Sequence, residues 1–162
     1  MEIDYINELH ELEVQIKNNE RPSSIMLIKD TFLSWYMLVE GISLRDDEYL
    51  QEILDRNMSL INRYYPDNSD LHFLRGWMIG ISPWFFDMDN EELSQKYLKL
   101  AYKICPTNML FKWALRDYIE ISKVDIEQIK VLIANNYEKY YINYKPIRQY
   151  FKDVIAASST IL

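Results

Sequence analysis

Ile61-Asn62-Arg63-Tyr64-Tyr65-Pro66-Asp67-Asn68 is the most informative segment for the fold, because it has a counterpart 40 residues later, Ala101-Tyr102-Lys103-Ile104-Cys105-Pro106-Thr107-Asn108. Each copy carries an apolar residue five places before a proline, a basic residue three places before it and an asparagine two places after it. Proline stops a helix and asparagine opens one, so each copy predicts a helix end followed by a helix start. An internal repeat of this length is typical of stacked helical hairpins, which are binding surfaces more often than enzymes.

The composition also favours an all-α protein. Of the 162 residues, 49% are hydrophobic and 27% are charged, which is ordinary for one folded domain with a real core. Only three Gly and five Pro are present, which leaves little material for β-turns, and no segment alternates strictly between apolar and polar residues. We therefore expect a single α-helical domain over residues 1–162, with repeat-like hairpins in 45–121 and a Tyr-rich C-terminal helical cap in 122–162.

Apolar residues at three- to four-residue spacing predict about seven to eight helices, separated by start and stop signals. The first three are expected over Ile3 to Asn18, over Ser23 or Ser24 to Gly41, and over about Asp46 to Tyr64. The fourth helix is capped within 66–69, the fifth runs from about Asn90 to Ile104, and the sixth from Pro106 through Tyr118. Ser122 or Asp125 opens a seventh helix with Val131 on its apolar face, and a last helix has Pro146 in its first turn.

The cysteine count and the N-terminus bear on the compartment. The single cysteine, Cys105, excludes an internal disulfide and fits a reducing environment. No apolar stretch approaches about 18 residues, and Met1-Glu2-Ile3-Asp4 is acidic where a signal peptide would be basic. We expect a soluble, cytoplasmic protein that does not bind membranes. Its many Ile, Asn, Lys and Tyr residues, which have AT-rich codons, hint at a bacterial gene of low GC content.

The net charge of −7 is concentrated in the first part of the chain. Residues 1–65 hold 13 Asp or Glu against 6 Lys or Arg, whereas residues 106–162 hold 6 against 8. Nucleic acid is not the expected partner, because neutralising phosphates needs clustered Lys and Arg. An acidic field would instead speed the capture of a basic protein. The alternative is that these charges only keep the protein soluble.

The helix-ending pattern Ala101, Pro106 and Asn108 resembles the second helix of a tetratricopeptide repeat. Gly76, ten residues after Pro66, stands where that repeat has a small residue in its next helix. The resemblance implies stacked antiparallel hairpins with a concave surface. The two prolines are 40 residues apart where the repeat has 34, so six residues are extra, and they fall between the two helices of one hairpin, within 81–88. The chain departs from the repeat in its polar His72 and Arg75, and in Ile61 where the other copy has Ala101.

Residues that carry chemistry in other proteins are sparse here. His10 lies in a Glu-rich first helix and is expected to be solvated, and His72 among apolar residues is expected to be packed or capping. Cys105 has no basic cluster beside it in sequence and is expected to be a small buried filler. We expect no cofactor and no metal, and we interpret the chain as a protein that is not an enzyme, with an unrecognised catalytic site as the minor alternative.

Two segments are candidate partner-binding sites. An acidic ridge on the third helix could pair with Lys or Arg of a partner, although carboxylates at a helix start also offset the helix dipole. An aromatic loop rimmed by acids has the composition of a protein-binding hot spot, although its rings could instead cover the end of the hairpin. The ridge consists of Asp46, Asp47, Glu48, Glu52 and Asp55, and the loop of Trp84, Phe85, Phe86, Asp87, Asp89, Glu91 and Glu92.

The C-terminal part is rich in tyrosine. Its rings, together with nearby Lys and Arg, could stack nucleic-acid bases, but a tail that caps the core is the favoured interpretation because the remaining charge is nearly balanced. The tyrosines are Tyr137, Tyr140, Tyr141, Tyr144 and Tyr150.

In size, acidic charge and lack of catalytic residues the chain resembles the cytoplasmic immunity proteins of bacteria, such as those of contact-dependent growth inhibition systems. The resemblance implies a non-catalytic partner that neutralises a basic toxin domain, in most cases a nuclease, by covering its active site. The alternative is a tetratricopeptide-like adaptor or secretion chaperone that binds a peptide in its concave groove.

Overall fold

The computed structural model describes residues 2–42, 47–87 and 91–158. These residues form nine α-helices and one 3-10 turn and contain no strand, which confirms the all-α prediction. The helices are α1 (Tyr5–Lys17), α2 (Ser24–Glu40), α3 (Asp47–Tyr64), α4 (Ser69–Ile81), α5 (Glu91–Ile104), α6 (Met109–Ala114), α7 (Lys123–Asn135), α8 (Tyr137–Tyr140) and α9 (Lys145–Ala157), and the 3-10 turn is Pro83–Phe86.

The two matching stretches each end one helix and open the next, as predicted. The Asn68 side chain accepts the backbone N–H of Leu71 at 3.0 Å, which caps α4. The Asn108 side chain accepts the N–H of Phe111 at 3.1 Å in the same way at α6. Each cap satisfies one of the backbone donors that a helix start leaves without an intrahelical partner.

The other predicted helix ends are also mostly confirmed. Ser23 and Ser122 cap α2 and α7, and Asp4 caps α1, so α1 begins two residues after the predicted Ile3. Gly41 ends α2 in the left-handed region at φ 66°, a conformation that costs glycine little. Pro146 lies in the first turn of α9.

The sixth helix is shorter than predicted. It ends at Ala114, and the N–H groups of Leu115, Arg116 and Tyr118 then bond three residues back instead of four. The Arg116 guanidinium lies over the Trp113 ring, 4.1 Å from its centroid, and donates to the Trp113 carbonyl at 3.2 Å. The Arg116 side chain thus provides a hydrogen-bond donor for a backbone carbonyl at the end of α6, which allows the helix to end there.

Two further expectations need correction. Val131, expected on the apolar face of α7, is 59% exposed, because that helix buries only Ile129 and Ile133 in the core. The described residues contain nine helices rather than seven to eight, because Asn136 separates the single turn α8 from α7.

Helices α4 and α5 form the hairpin that the repeat pattern predicts. A Cβ on Gly76 would lie within 3.0 Å of Leu98 and of the Ser94 carbonyl, whereas one on Gly80, a turn later, would meet the Ser94 side chain. Because the contacts run in opposite order along the two helices, the pair is antiparallel. Ser94 Oγ donates to the Gly76 carbonyl at 2.7 Å, so the two backbones approach closely where glycine leaves room.

One continuous core runs from α1 to α9, and the C-terminal tyrosines are part of it. Tyr137 and Tyr141 are buried, and the Tyr141 hydroxyl donates to the Asp70 carbonyl at 3.0 Å. Tyr144 donates to Glu8 at 2.8 Å, and Tyr150 accepts from Trp77 Nε1 at 2.9 Å. These four rings therefore pack against the helical core.

A buried polar cluster joins the first three helices. Arg56 of α3 contacts Glu13 of α1 at 2.6 Å and Asp30 of α2 at 3.1 Å. Asn57 donates to Asp30 at 2.8 Å and to Thr31 at 3.2 Å. Glu13 and Asp30 are almost fully buried, so their charges depend on Arg56 for compensation.

Within the described ranges, none of the helices has the length and apolarity needed to cross a bilayer.

Candidate functional site

The candidate site is centred on the turn that links α4 to α5. Pro83 opens the 3-10 turn, where its fixed φ is suitable, and the turn ends at Asp87, whose φ of 51° is left-handed. The Asp87 N–H donates back to the Pro83 carbonyl. The segment 81–88, in which the six residues beyond the tetratricopeptide spacing were predicted to lie, therefore includes an ordered turn.

Two hydrogen bonds from other helices hold this turn in place. Trp35 Nε1 of α2 donates to Ser82 Oγ at 2.7 Å, and both side chains are fully buried. Gln51 of α3 donates to the Phe85 carbonyl at 2.8 Å. Because both bonds span distant parts of the sequence, the orientation of the turn is set by the packing of α2 and α3.

The three aromatic side chains of the turn have different environments. Phe85 and Phe86 are half-buried and pack against the core, so they cover the end of the hairpin. Trp84 is 66% exposed, with its ring 5.7 Å from that of Phe85. Phe85 and Phe86 therefore match the covering interpretation, whereas Trp84 is exposed to solvent.

The acidic ridge lies on the exposed side of α3 and reaches the turn. Asp47, Glu48, Glu52 and Asp55 are all exposed. Gln51, between them, donates to Asp55 at 2.9 Å as well as to the Phe85 carbonyl, so the ridge and the turn are neighbours. Asp46, which was predicted to belong to this ridge, lies outside the described residues.

The acids that follow the turn are arranged differently. Asp87, Glu91 and Glu92 are exposed, and the Tyr118 hydroxyl donates to Glu91 at 3.3 Å. Burial, and then the neighbouring Glu91, raise the pKa of Tyr118. Glu91 thus contacts the segment after α6, while Asp89, the remaining predicted contact, lies outside the described residues.

Helix-dipole compensation remains a valid explanation for part of this set. Asp47 and Glu48 lie in the first turn of α3, and Glu91 and Glu92 in the first turn of α5, where carboxylates are favoured. Glu52 and Asp55 lie beyond the first turn of α3. The helix dipole therefore does not explain their exposed positions.

The histidines and the cysteine are packed or solvated. His72 is 8% exposed and stacks on Tyr97 at 5.7 Å, and its pKa is lowered by burial and by the nearby Arg75. Cys105 is half-buried rather than fully buried, and its thiol donates to Ser69 Oγ at 3.4 Å. His10 is exposed on α1.

Sequence reasoning missed the residues that position the turn. Trp35, Gln51 and Ser82 carry no local signal of this role, because the apolar spacing marks Trp35 only as a core residue and the other two are ordinary polar residues of a helix or a helix end. Their role depends on contacts with residues 34 and 47 positions away.

Comparison with known proteins adds no relative: no family model, no curated protein and no solved structure matches the chain. Any functional conclusion therefore depends on the geometry and charge of the chain itself.

Proposed function

We propose that this chain is a non-catalytic protein-binding protein whose contact surface combines the Pro83–Asp87 turn with the acidic ridge of α3. The observation that carries the proposal is the exposed indole of Trp84 on a turn held by Trp35 and Gln51. A large ring in water costs free energy that is recovered when a partner covers it. Tryptophan is also among the residues most enriched in binding hot spots, and a turn already held in place loses little entropy on binding.

The charge around Trp84 favours a basic partner. Asp47, Glu48, Glu52 and Asp55 are exposed on α3, which Gln51 joins to the turn, in a chain with a net charge of −7. Acidic side chains around an aromatic anchor favour a surface rich in Lys and Arg and increase the association rate at low ionic strength. Nucleic acid would be repelled by the same field.

Within this class, we propose an immunity protein that neutralises a basic bacterial toxin domain, a nuclease, by covering its active site. A nuclease surface that neutralises phosphates with Lys and Arg is basic, so an acidic ridge is complementary to it. The small size of the chain and its acidity support this proposal.

The second candidate is an adaptor or secretion chaperone of the tetratricopeptide type. It is supported by the antiparallel α4–α5 hairpin, in which Gly76 and Ser94 allow close helix contact. Such a protein would capture short peptides with micromolar affinity and would tolerate charge changes at Asp46 and Asp47.

The test is calorimetric titration with the toxin domain encoded immediately upstream of this gene. We expect nanomolar binding, and a loss of at least about thirtyfold for Trp84→Ala, as for a hot-spot tryptophan. The double variant Glu48→Gln/Glu52→Gln should slow association and flatten its dependence on salt. Val124, an apolar residue on α7 that is 67% exposed, offers a matched control as Val124→Ala.

All four proteins should show the same urea midpoint, because each change is at an exposed position. Absence of binding at micromolar concentrations would overturn the immunity proposal. Equal binding by Trp84→Ala and Val124→Ala would show that the turn is not the contact surface.

A further inference from the structure

A separate pocket lies between α1, α2 and α9. Its volume is about 300 Å³, which suits a small ligand. Neither the turn nor the acidic ridge contributes to it, so it does not depend on the proposed function above. The lining includes Tyr5, Tyr36, Glu40, Tyr150, Asp153 and Val154.

Three tyrosine rings form one wall of this pocket. Tyr5 and Tyr36 have ring centroids 5.1 Å apart, and Tyr36 meets Tyr150 edge to face at 5.8 Å. Phe32 stacks behind Tyr36 at 5.6 Å, and Trp77 Nε1 donates to the Tyr150 hydroxyl at 2.9 Å. The rings are therefore held by the core and need little rearrangement to receive a ligand.

Two exposed carboxylates complete the pocket. Glu40 is the last residue of α2, and Asp153 of α9 accepts from Gln149 at 2.9 Å. In the part of the chain that the structure describes, neither pairs with a Lys or Arg, and no such residue lines the cavity. Burial, and then Tyr5 and Glu40, raise the pKa of Tyr36 to about 12.

We propose that this pocket binds an organic cation, an alkylammonium group on a short aliphatic stem. The faces of Tyr rings attract cations through their quadrupole, and the two carboxylates add a favourable charge interaction. Val154 offers an apolar contact for the stem. Such a group occurs both in free amines and in lysine side chains of proteins, and the two sources share this chemistry.

The test is a chemical-shift titration that follows the Val154 methyl groups. Choline and butylammonium are compared with their neutral counterparts, 3,3-dimethylbutan-1-ol and butan-1-ol. We expect each cation to bind about tenfold more tightly than the neutral molecule of similar shape. Equal affinities would overturn the proposal, because they would show an apolar cleft without charge selectivity.

Variants test the two carboxylates and the tyrosine rings separately. Glu40→Gln/Asp153→Asn should weaken binding of both cations about tenfold, and Tyr36→Leu should weaken choline more than butylammonium. Asp117→Asn, an exposed acid outside the pocket, is the matched control and should bind like the parent protein. Unchanged affinity in the double carboxylate variant would also overturn the proposal.

The source of the cation is distinguished by a second pair of probes. N-acetyl-lysine methylamide represents a lysine within a protein, and the norleucine analogue is its neutral control. Tighter binding of the lysine compound than of butylammonium would identify a protein side chain as the ligand, and the reverse order would identify a free amine. If neither the lysine compound nor the free amines bind, the pocket proposal is overturned, whereas the proposed function of the Trp84 surface is not affected.

Discussion

The indole nitrogen of Trp35 donates a 2.7 Å hydrogen bond to the hydroxyl of Ser82, and both side chains are fully buried. Ser82 in turn donates to the Met78 carbonyl at 3.1 Å and immediately precedes the 3-10 turn that presents Trp84. The buried Ser82 hydroxyl therefore accepts a hydrogen bond from the largest side chain of α2 and donates one to a backbone carbonyl near the end of α4. The exposed Trp84 ring is supported by this internal pair.

Replacing Ser82 should destabilise the protein. In Ser82→Ala the Trp35 N–H loses its acceptor in a dry environment, and we expect the free energy of unfolding to fall by about 1–3 kcal/mol. Ser59→Ala removes an exposed hydroxyl that bonds only to Asp55 O on the same helix, and should cost less than about 0.5 kcal/mol. Urea unfolding measures both. An equal loss in free energy of unfolding for the two variants would mean that the hydrogen bond from Trp35 to Ser82 contributes no more to stability than the exposed bond of Ser59.

Removing the Arg56 guanidinium should cost more. Arg56→Ala leaves Glu13 and Asp30 buried without their cation, and we expect a loss of roughly 2–4 kcal/mol, reduced from a fully buried case because Arg56 is partly exposed. Arg56→Lys should recover only part of it, since an ammonium cannot span both carboxylates as the planar fork does. The control is Arg63→Ala on the same helix, where the guanidinium only lies over Tyr64. A similar urea midpoint for Arg56→Ala and Arg63→Ala would contradict the role of the cluster.

Asp30 should make stability depend on pH. Burial raises the pKa of Asp30 from 3.8 to about 7, with Glu13 adding to the shift and Asn57 and Arg56 opposing it. The folded protein therefore holds this proton more tightly than the unfolded chain between about pH 4 and pH 7. The contribution of Asp30 to the free energy of unfolding falls as pH rises through that window, by up to about 1.4 kcal/mol per pH unit.

Asp30→Asn tests this dependence, because asparagine resembles the protonated carboxyl at every pH. From pH 5 to pH 8 the stability of the variant should rise relative to the parent protein, by about 1–3 kcal/mol in urea titrations. Asp117→Asn, at an exposed site, should keep a constant difference from the parent. A constant difference for Asp30→Asn as well would show that Asp30 does not titrate in this range.

The two glycines of α4 should respond differently to alanine. A Cβ at Gly76 would meet Leu98 and the Ser94 backbone at 2.9–3.0 Å, and backbone cannot move aside cheaply, so Gly76→Ala should cost about 1–3 kcal/mol. At Gly80 the close contact is the Ser94 hydroxyl at 2.7 Å, which can rotate away from a new methyl group by giving up its hydrogen bond to the Gly76 carbonyl. There the gain in helix propensity offsets much of the cost, and we expect a change under about 1 kcal/mol. Thermal unfolding of both variants checks the ranking, which would be wrong if Gly80→Ala were the less stable.

The helix ends were predictable because their signals are local. Asn68 and Asn108 cap the next helix through bonds to N–H groups only three residues away, and Gly41 takes its left-handed conformation within α2's own last turn. The early end of α6 was not predictable in the same way. It depends on Arg116 folding back over Trp113, which the apolar spacing of the segment does not reveal.

The candidate surface was predictable in composition but not in arrangement. The acids and aromatic rings were identified by residue type, yet the sequence left open whether Trp84, Phe85 and Phe86 face water or the core. The structure divides them, with Trp84 exposed and the two Phe side chains half-buried. The pocket of Tyr5, Tyr36 and Tyr150 had no local signal, because its walls come from three helices.

Local signals were enough to predict the all-α class, most helix ends and the place of the irregular turn, because periodicity, proline and capping act over three to five residues. Only the packing of the helices shows which ring of that turn is exposed, that Arg56 joins Glu13 to Asp30, and that Glu40 and Asp153 share a tyrosine-walled pocket. These relationships join residues that are distant in the chain, and only the packing of whole helices brings them into contact.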